Sequence, residues 1–388
     1  MKKTHLILLC FSLCIFHNIS AQAVKTNSAK PNIILILADD LGYETINCNG
    51  GTSYQTPNID KLASKGIRFT NAYATPLCTP SRVTIMTGKY NFRNYVNFGA
   101  IDPKEYTFGN LMKSAGYKTY VAGKWQLGDT SGLPFQLGFD SYSLWHLNHL
   151  EHLNDRGSRY RDPVIVESSG APLIKKGKYG PDIFSNKVLS FIEENKKGPF
   201  FLYYPMVLTH APFQPTPNQS DFLTASKNVN DTAYFKYMVN YMDKIIGQIV
   251  DKVEKLGIAK NTIILYTGDN GTAKNVVSMM GNVAVKGGKG TTTVPGTHVP
   301  LIAYWKGKTV KGAVYDDLID FTDFMPTLSS AVKHPLPHNK VFDGTGFFDR
   351  LIGKEGKKRD WLYCYYTSTK TGQVDDALKY AQDKVWKL

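Results

Sequence analysis

The sequence predicts an α/β fold in which a large, mainly parallel central sheet is flanked by helices on both faces, followed by a small C-terminal subdomain. The length of 388 residues allows one large domain and a smaller appendage. Hydrophobic residues make up 42% and charged residues 20% of the chain, the balance of an ordinary globular enzyme. Apolar runs alternate with amphipathic segments, which is typical of strands joined by helices.

Five short apolar runs are predicted as strands that are buried on both sides. They are residues 32–38, 118–122, 200–204, 262–267 and 301–305. Between them lie helical patterns, of which the clearest runs from 232 to 256, with apolar residues near helical spacing. After about residue 325 the alternation fades into loops and short turns.

The N-terminus has the composition of a secretory signal. Lys2 and Lys3 precede an apolar run at residues 6–16, and residues 21–23 are small enough for a cleavage site. The run is too short to span a bilayer, and no later segment is apolar for long enough. We therefore predict a signal peptide at 1–23, a secreted or periplasmic protein, a catalytic α/β domain at 24–325, and the start of a C-terminal subdomain at 326–388.

Net charge and cysteine content bear on the expected binding partners and on the state of the cysteines. The formal net charge is +14, and loss of Lys2 and Lys3 with the signal peptide lowers it to +12. A basic balance can favour nucleic acid, an anionic surface or an anionic substrate, although most of the lysine and arginine clusters are expected to be solvated surface. No aromatic-interleaved basic motif of a nucleic-acid module is present, so no nucleic-acid partner is expected. The mature chain keeps three cysteines, Cys48, Cys78 and Cys364, and the sequence leaves open whether Cys48 and Cys364 pair.

Polar side chains follow four of the predicted strands at the point where each strand ends. They are Asp39 and Asp40, Lys124, His210, and Asp269 and Asn270. In open α/β sheets the ligand crevice lies beyond the carboxyl ends of the strands, so one shared site is predicted there. The acidic and amide groups offer only oxygen ligands, which suits Ca²⁺ or Mg²⁺ rather than zinc, although a helix cap or a simple turn would also explain each pair alone.

Cys78 lies where a loop enters a predicted helix, within the sequence Cys78-Thr79-Pro80-Ser81-Arg82. A structural thiol or a catalytic thiolate would explain the cysteine, but neither explains the residues after it. This motif, followed by Thr87-Gly88, resembles the signature of the formylglycine-dependent sulfatases, which are arylsulfatase-like members of the alkaline phosphatase superfamily. The resemblance extends in order from residue 31 to about 346, through ADDLG at 38–42, TPNID at 56–60, AGKW at 122–125, THAP at 209–212, TGDNG at 267–271 and GGKGTT at 287–292.

The resemblance implies a role for each of these positions. Cys78 would be converted to Cα-formylglycine by a maturation enzyme and act as the nucleophile, and Arg82 would orient it. Lys124, His210 and Lys289 would contact the sulfate or the leaving oxygen. Ca²⁺, with Mg²⁺ as the second choice, would be held by Asp39, Asp40, Asp269 and Asn270. The activity implied is hydrolysis of a sulfate ester, and analogy with secreted bacterial relatives makes a sulfated carbohydrate the expected substrate.

The sequence departs from the family pattern in three places. Gln126 stands where the family has a histidine after Gly-Lys-Trp, so a residue that cannot act as a base is expected to bind the nucleophile or the substrate. Residues 294–298 also differ, and the chain ends earlier than family members do, so the C-terminal subdomain is expected to be incomplete. Two alternatives remain open: a phosphonate monoester or phosphodiester hydrolase of the same superfamily, and an inactive sulfate-binding relative.

Overall fold

The centre of the fold is a ten-stranded sheet, seen in a computed structural model that describes residues 30–128, 130–145, 158–170, 173–367 and 377–388. The predicted signal peptide at 1–23 lies outside the described residues. The strands are β1 (Asn32–Ala38), β2 (Ile67–Tyr73), β3 (Lys118–Lys124), β4 (Ser141–Trp145), β5 (Val164–Glu167), β6 (Leu173–Ile174), β7 (Phe200–Pro205), β8 (Thr262–Gly268), β9 (Val277–Met280), β10 (Val283–Lys286), β11 (His298–Trp305), β12 (Ala313–Asp320), β13 (Leu362–Tyr366) and β14 (Leu378–Gln382).

The helices connect these strands and cover the sheet. They are α1 (Pro57–Lys65), α2 (Cys78–Thr87), α3 (Asn91–Asn94), α4 (Phe108–Ser114), α5 (Leu133–Gln136), α6 (Gly180–Glu194), α7 (Phe235–Lys255), α8 (Val294–Thr297), α9 (Phe324–Val332) and α10 (Phe348–Leu351). Short 3₁₀ turns lie at Tyr43–Thr45, Asn47–Asn49, Thr232–Tyr234, Ala259–Asn261 and Phe321–Asp323.

The strand order is β12-β2-β11-β8-β1-β7-β3-β4-β5-β6. The block β8-β1-β7-β3-β4 is parallel throughout, whereas β11 runs antiparallel to both of its neighbours. The prediction of a mainly parallel sheet is therefore confirmed. The parallel block also brings the carboxyl ends of β8, β1, β7 and β3 to one edge of the sheet.

The sheet separates two hydrophobic cores, and alternate residues of each central strand belong to different ones. On β1, Ile33, Leu35 and Leu37 pack with α2, α4 and α9, whereas Ile34 and Ile36 pack with α1, α6 and α7. This follows from the two-residue period of a strand, whose successive side chains point to opposite faces. It explains why β1 is apolar without a break and why helices are needed on both sides.

The C-terminal segment adds a small antiparallel sheet of β13 and β14. Leu362, Cys364 and Tyr380 from this sheet pack on Tyr73 and Leu318 at the edge of the central sheet. The expected domain boundary between 325 and 326 falls inside α9, whose side chains are part of the main core.

Two further features of the described residues bear on the sequence analysis. Cys48, Cys78 and Cys364 are all free thiols, so Cys48 and Cys364 do not form a disulfide with each other. Within the described ranges, no helix combines the length and the apolar character needed to cross a membrane.

Candidate active site

The ten predicted site residues converge at the carboxyl edge of the parallel block. Six of them end or follow the neighbouring strands β8, β1, β7 and β3, and the other four come from α2, from the loop after β3 and from the loop after β10. The set comprises Asp39, Asp40, Cys78, Arg82, Lys124, Gln126, His210, Asp269, Asn270 and Lys289. Chain positions up to 250 residues apart meet here because strands distant in sequence are neighbours in the sheet.

Helix α2 supplies Cys78 and Arg82. Cys78 is its first residue, and Pro80 fits in the first turn because the N–H that proline lacks would have no partner within the helix. Arg82 lies four residues later, one turn along the same face. The helix N-terminus therefore faces the site, where its partial positive charge favours an anion such as sulfate.

Asp39 is the fully buried carboxylate around which the cations are arranged. Lys124 Nζ lies 2.8 and 2.9 Å from its two oxygens, and Arg82 Nη2 lies 3.5 Å from Oδ1. Burial opposes ionisation of this group, but the surrounding cations, Lys124 first among them, hold the pKa of Asp39 well below its usual range. Asp39 is therefore ionised at every physiological pH.

Arg82 connects the ends of three strands from within the core. It donates to Asp269 Oδ2 at 2.9 Å and to the carbonyl oxygen of Lys124 at 3.1 Å, and its side chain is 1% exposed. Burial, reinforced by repulsion from Asp39, raises the pKa of Asp269 to about 7 despite the presence of Arg82. Burial and the neighbouring Asp39 carboxylate thus outweigh the contact with Arg82 in setting the protonation of Asp269.

Asp40 connects the candidate metal ligands Asp269 and Asn270 to Lys289 on the solvent-facing side of the site. Asn270 Nδ2 donates to Asp40 Oδ1 at 2.9 Å, and Lys289 Nζ lies 2.6 Å from Asp40 Oδ2. Its own N–H donates to Asp269 Oδ1 at 3.0 Å. Asp40 has a left-handed φ of 59°, a strained conformation for a residue with a side chain, and such residues cluster at functional sites.

His210 and Lys289 form a pair on the solvent side. Lys289 Nζ lies 3.0 Å from His210 Nε2, and His210 Nδ1 contacts the carbonyl oxygen of Ala211. Burial lowers the pKa of His210 to about 3, so the ring is neutral, with Nδ1 as donor and Nε2 as acceptor. Burial opposes the charge on Lys289, but Asp40 raises its pKa above the usual range, so Lys289 carries the proton of this pair.

Gln126 is the direct partner of the cysteine. Cys78 Sγ donates to Gln126 Oε1 at 3.1 Å, and both side chains are buried. Gln126 follows the end of β3 and has a left-handed φ of 56°, which turns its amide toward α2. The residue at which the sequence departs from the family pattern therefore contacts the position of the predicted nucleophile.

A divalent cation fits the donors present. Asn270 Oδ1 is buried and has no hydrogen-bond partner among the described residues, and an orphaned amide oxygen of this kind is a ready ligand for a hard cation. Ligand atoms of Asp39, Asp40 and His210 lie within 4.8 Å of one another. Asp269 is outside that group, and its two oxygens accept from Asp40 N–H and from Arg82.

The sequence analysis did not single out Arg159. Its Nη1 lies 3.4 Å from Asp39 Oδ2, and its guanidinium carbon lies 4.0 Å from the centre of the Trp145 ring. Trp145 ends β4, the parallel strand beyond β3, so it belongs to the same edge as the other site residues. Arg159 itself comes 14 residues after the end of β4, and an arginine in a loop has no sequence motif that marks it as a site residue.

Comparison with known proteins points to one family. A family model described as "Sulfatase" matches residues 31–334. N-acetylgalactosamine-6-sulfatase of Mus musculus is 30% identical over 367 residues, covering 87% of this chain and 68% of the relative. N-acetylgalactosamine-6-O-sulfatase of Bacteroides thetaiotaomicron is 29% identical over 413 residues, covering 87% of this chain and 79% of the relative.

Solved structures agree with the sequence matches. The crystal structure of Ps i-CgsB superposes with a TM-score of 0.78 at 27% identity and covers 92% of this chain and 83% of that one. The same protein in complex with k-i-k-neocarrahexaose superposes with a TM-score of 0.77. The fold of this chain is thus shared with Ps i-CgsB.

Proposed function

Since this chain belongs to the sulfatase family and is a sulfuric ester hydrolase of that family, we propose that it hydrolyses a sulfate ester on a carbohydrate, with Cys78 as the formylglycine nucleophile and a calcium ion as cofactor. The observation that carries the proposal is the contact of Cys78 with Gln126 beside the buried Arg82–Asp269 ion pair. An inactive sulfate-binding relative would have no need to keep this costly buried arrangement.

The electrostatics of the site suit transfer of a sulfuryl group. Negative charge moves to the leaving oxygen as the S–O bond breaks, and fixed cations that face this charge in a water-poor site lower the barrier. Lys124 and Arg82 are each 1% exposed, so their positions are set by packing before substrate arrives. A calcium ion held by Asp39, Asp40, Asp269 and Asn270 would supply further Lewis-acid stabilisation of the sulfate.

Conversion of Cys78 to formylglycine would give the nucleophile a second hydroxyl group, which allows the sulfate to be released. As Cα-formylglycine, this position would supply a hydrated aldehyde, of which one hydroxyl attacks sulfur and the other, on losing its proton, releases sulfate and regenerates the aldehyde. In the unmodified protein, the Cys78 thiol that donates a hydrogen bond to Gln126 occupies the place of one of those hydroxyl groups. The amide would orient that hydroxyl by a hydrogen bond, since it has no basicity to remove the proton.

Lys289 is the better general acid of the two candidates. Its ammonium group holds protons, whereas His210 is neutral and offers only an acceptor at Nε2. Both side chains reach solvent, at 19% and 21% exposure, so they line the side from which an ester would enter. Lys289 would protonate the leaving alkoxide, and His210 would hold the ammonium in place.

The carbohydrate substrate class rests on the relatives. Two of them are named as N-acetylgalactosamine 6-sulfatases, and Ps i-CgsB has been solved with a neocarrahexaose. We further propose export to the periplasm or medium from the pattern of residues 1–23, which N-terminal sequencing of the mature protein tests.

The decisive experiment couples modification to turnover. The protein is expressed with a formylglycine-generating enzyme, and the peptide across Cys78 is examined by mass spectrometry. Release of sulfate from nitrophenyl sulfate and from sulfated hexosamines is then compared with the Cys78→Ala variant, which removes the nucleophile at a buried site without introducing a larger side chain. A matured enzyme that turns over nitrophenyl phosphonate but no sulfate ester would overturn the proposal.

A further inference from the structure

Arg159 lies in the site, but the proposed hydrolysis of the sulfate ester assigns no role to it. We propose that Arg159 is a specificity-determining residue that binds a second anionic group of the substrate, close to the sulfate ester that is hydrolysed. This rests on the proposed function, because it narrows the substrate class of the same site. The chemistry recognised is an oxyanion, either a second sulfate or a uronic acid carboxylate.

The guanidinium of Arg159 is held on two sides. Its guanidinium carbon lies over the Trp145 ring, 4.0 Å from the ring centre, and Nη1 is 3.4 Å from Asp39 Oδ2. A cation–π contact with the ring face restrains the guanidinium without using its N–H donors as hydrogen-bond donors. A ligand that docks against the remaining edge therefore meets a group whose orientation is already set, which lowers the entropy lost on binding.

Among Arg82, Lys124 and Arg159, which all contact Asp39, Arg159 is the most accessible to a further anionic group. The side chains of Arg82 and Lys124 are each 1% exposed, whereas that of Arg159 is 12% exposed. Lys124 engages both oxygens of Asp39, and Arg82 is shared with Asp269. Within the described ranges, Asp39 is the one ion-pair partner of Arg159, and their contact is among the longest at the site.

With the proposed divalent ion bound, the charge of the site exceeds what one sulfate ester neutralises. Four cationic side chains face three carboxylates in the described residues, a net charge of +1 that a divalent ion would raise to +3. The cations are Arg82, Lys124, Arg159 and Lys289, and the carboxylates are Asp39, Asp40 and Asp269. A sulfate monoester carries a single negative charge, so a substrate with a second one balances the site better. Arginine is suited to this because its fork matches the oxygens of sulfate and carboxylate alike.

Binding to the Cys78→Ala variant tests the proposal without turnover. Dissociation constants are measured by calorimetry in the presence of Ca²⁺ for three probes: N-acetylgalactosamine 6-sulfate, its 4,6-disulfate, and a disaccharide of glucuronate and N-acetylgalactosamine 6-sulfate. Adding Arg159→Ala should weaken binding of the disulfate or the uronate disaccharide by at least about tenfold, the effect of one charged hydrogen bond, and the monosulfate by less than about threefold. The arm that responds identifies the second oxyanion.

Two controls separate this role from a structural one. Arg159→Lys keeps the charge but not the planar fork and should recover only part of the affinity, whereas Arg93→Ala removes an arginine whose side chain is 42% exposed and should change nothing. Equal weakening of all three probes would mean that Arg159 only positions Asp39, and no preference of the Arg159-containing protein for the doubly charged probes would also overturn the proposal.

The proposed function is tested separately from this inference. Matured enzyme with Arg159 intact should turn over nitrophenyl sulfate, which carries one anionic group. Absence of all sulfate ester turnover would contradict the proposed function, while the binding measurements would still decide the role of Arg159.

Discussion

Replacing Gln126 with alanine measures what the amide contributes to turnover. Gln126 Oε1 accepts a hydrogen bond from Cys78 Sγ at 3.1 Å, and the side chain is 8% exposed. A neutral hydrogen bond contributes about 1 kcal/mol net, so loss of an orienting contact should lower kcat by about five- to tenfold. Loss of a general base would lower it by about 10²–10⁴-fold. The size of the effect therefore distinguishes the two roles.

The assay is the kcat for nitrophenyl sulfate, divided by the fraction of formylglycine at position 78 found by peptide mass spectrometry. This correction is needed because the substitution lies against the residue that is modified. Gln126→His is the matched variant, since histidine tolerates the left-handed φ of 56° at this position better than most residues do. It should add an acidic limb to the pH profile below the ordinary histidine pKa of about 6.5, because burial at this position disfavours the charged ring.

Two results would refute this reasoning about Gln126. A Gln126→Ala enzyme as inactive as Cys78→Ala would mean that the amide is indispensable, contrary to an orienting role. A rate equal to that of the unaltered enzyme would mean that the hydrogen bond to the thiol has no counterpart with the modified side chain.

Three further predictions concern the ion site and the buried charges. Chelation should lower both activity and melting temperature, and Ca²⁺ but not Zn²⁺ should restore them, because a ligand that binds only the folded state stabilises it; calorimetry with each metal checks this. Arg82→Met should destabilise the fold by about 3–5 kcal/mol in urea unfolding, because Asp269 then stays buried without its ion pair; a change under about 1 kcal/mol would contradict this. Burial, with Asp323 adding to it against Arg359, raises the pKa of Asp320 to about 6, so the folded state binds more protons than the unfolded state between about pH 4 and 6, and stability falls as pH rises through that range. Asp320→Asn should flatten the dependence of the free energy of unfolding on pH, and it should stabilise the protein more at pH 7 than at pH 4. Urea unfolding at both pH values measures this, and an unchanged pH dependence would exclude Asp320 as its source.

Much of the site was predictable because its residues stand at recognisable positions. Asp39, Lys124 and Asp269 each end or follow an apolar strand, and the motif from Cys78 to Arg82 marks a helix start. The structure brings all of them together at one edge of the sheet. The contact between Gln126 and Cys78 was expected in kind from the family pattern, but its geometry depends on a backbone conformation that sequence does not report.

Other features were beyond sequence reasoning. Arg159 lies 120 positions from Asp39 and reaches it only because β4 and β3 are neighbours in the sheet. The neutral state of His210 follows from its burial, and an isolated Thr-His-Ala-Pro sequence gives no measure of burial. The exposed and buried sides of the site were likewise unknown, so the sequence could not rank Lys289 above His210 as general acid.

The sequence by itself determined five strands of the central sheet, the helix that begins at Cys78 and the kinds of side chain available for chemistry, because apolar periodicity and short motifs are local properties of the chain. Tertiary structure decided the strand order β8-β1-β7-β3-β4 and, with it, which charges are paired, which groups reach solvent and which protons are held. The physical reason is that pairing between distant strands and the burial of their end residues arise from packing across the whole sheet. The energy of each ionisable group depends on those neighbours, and no local pattern specifies them.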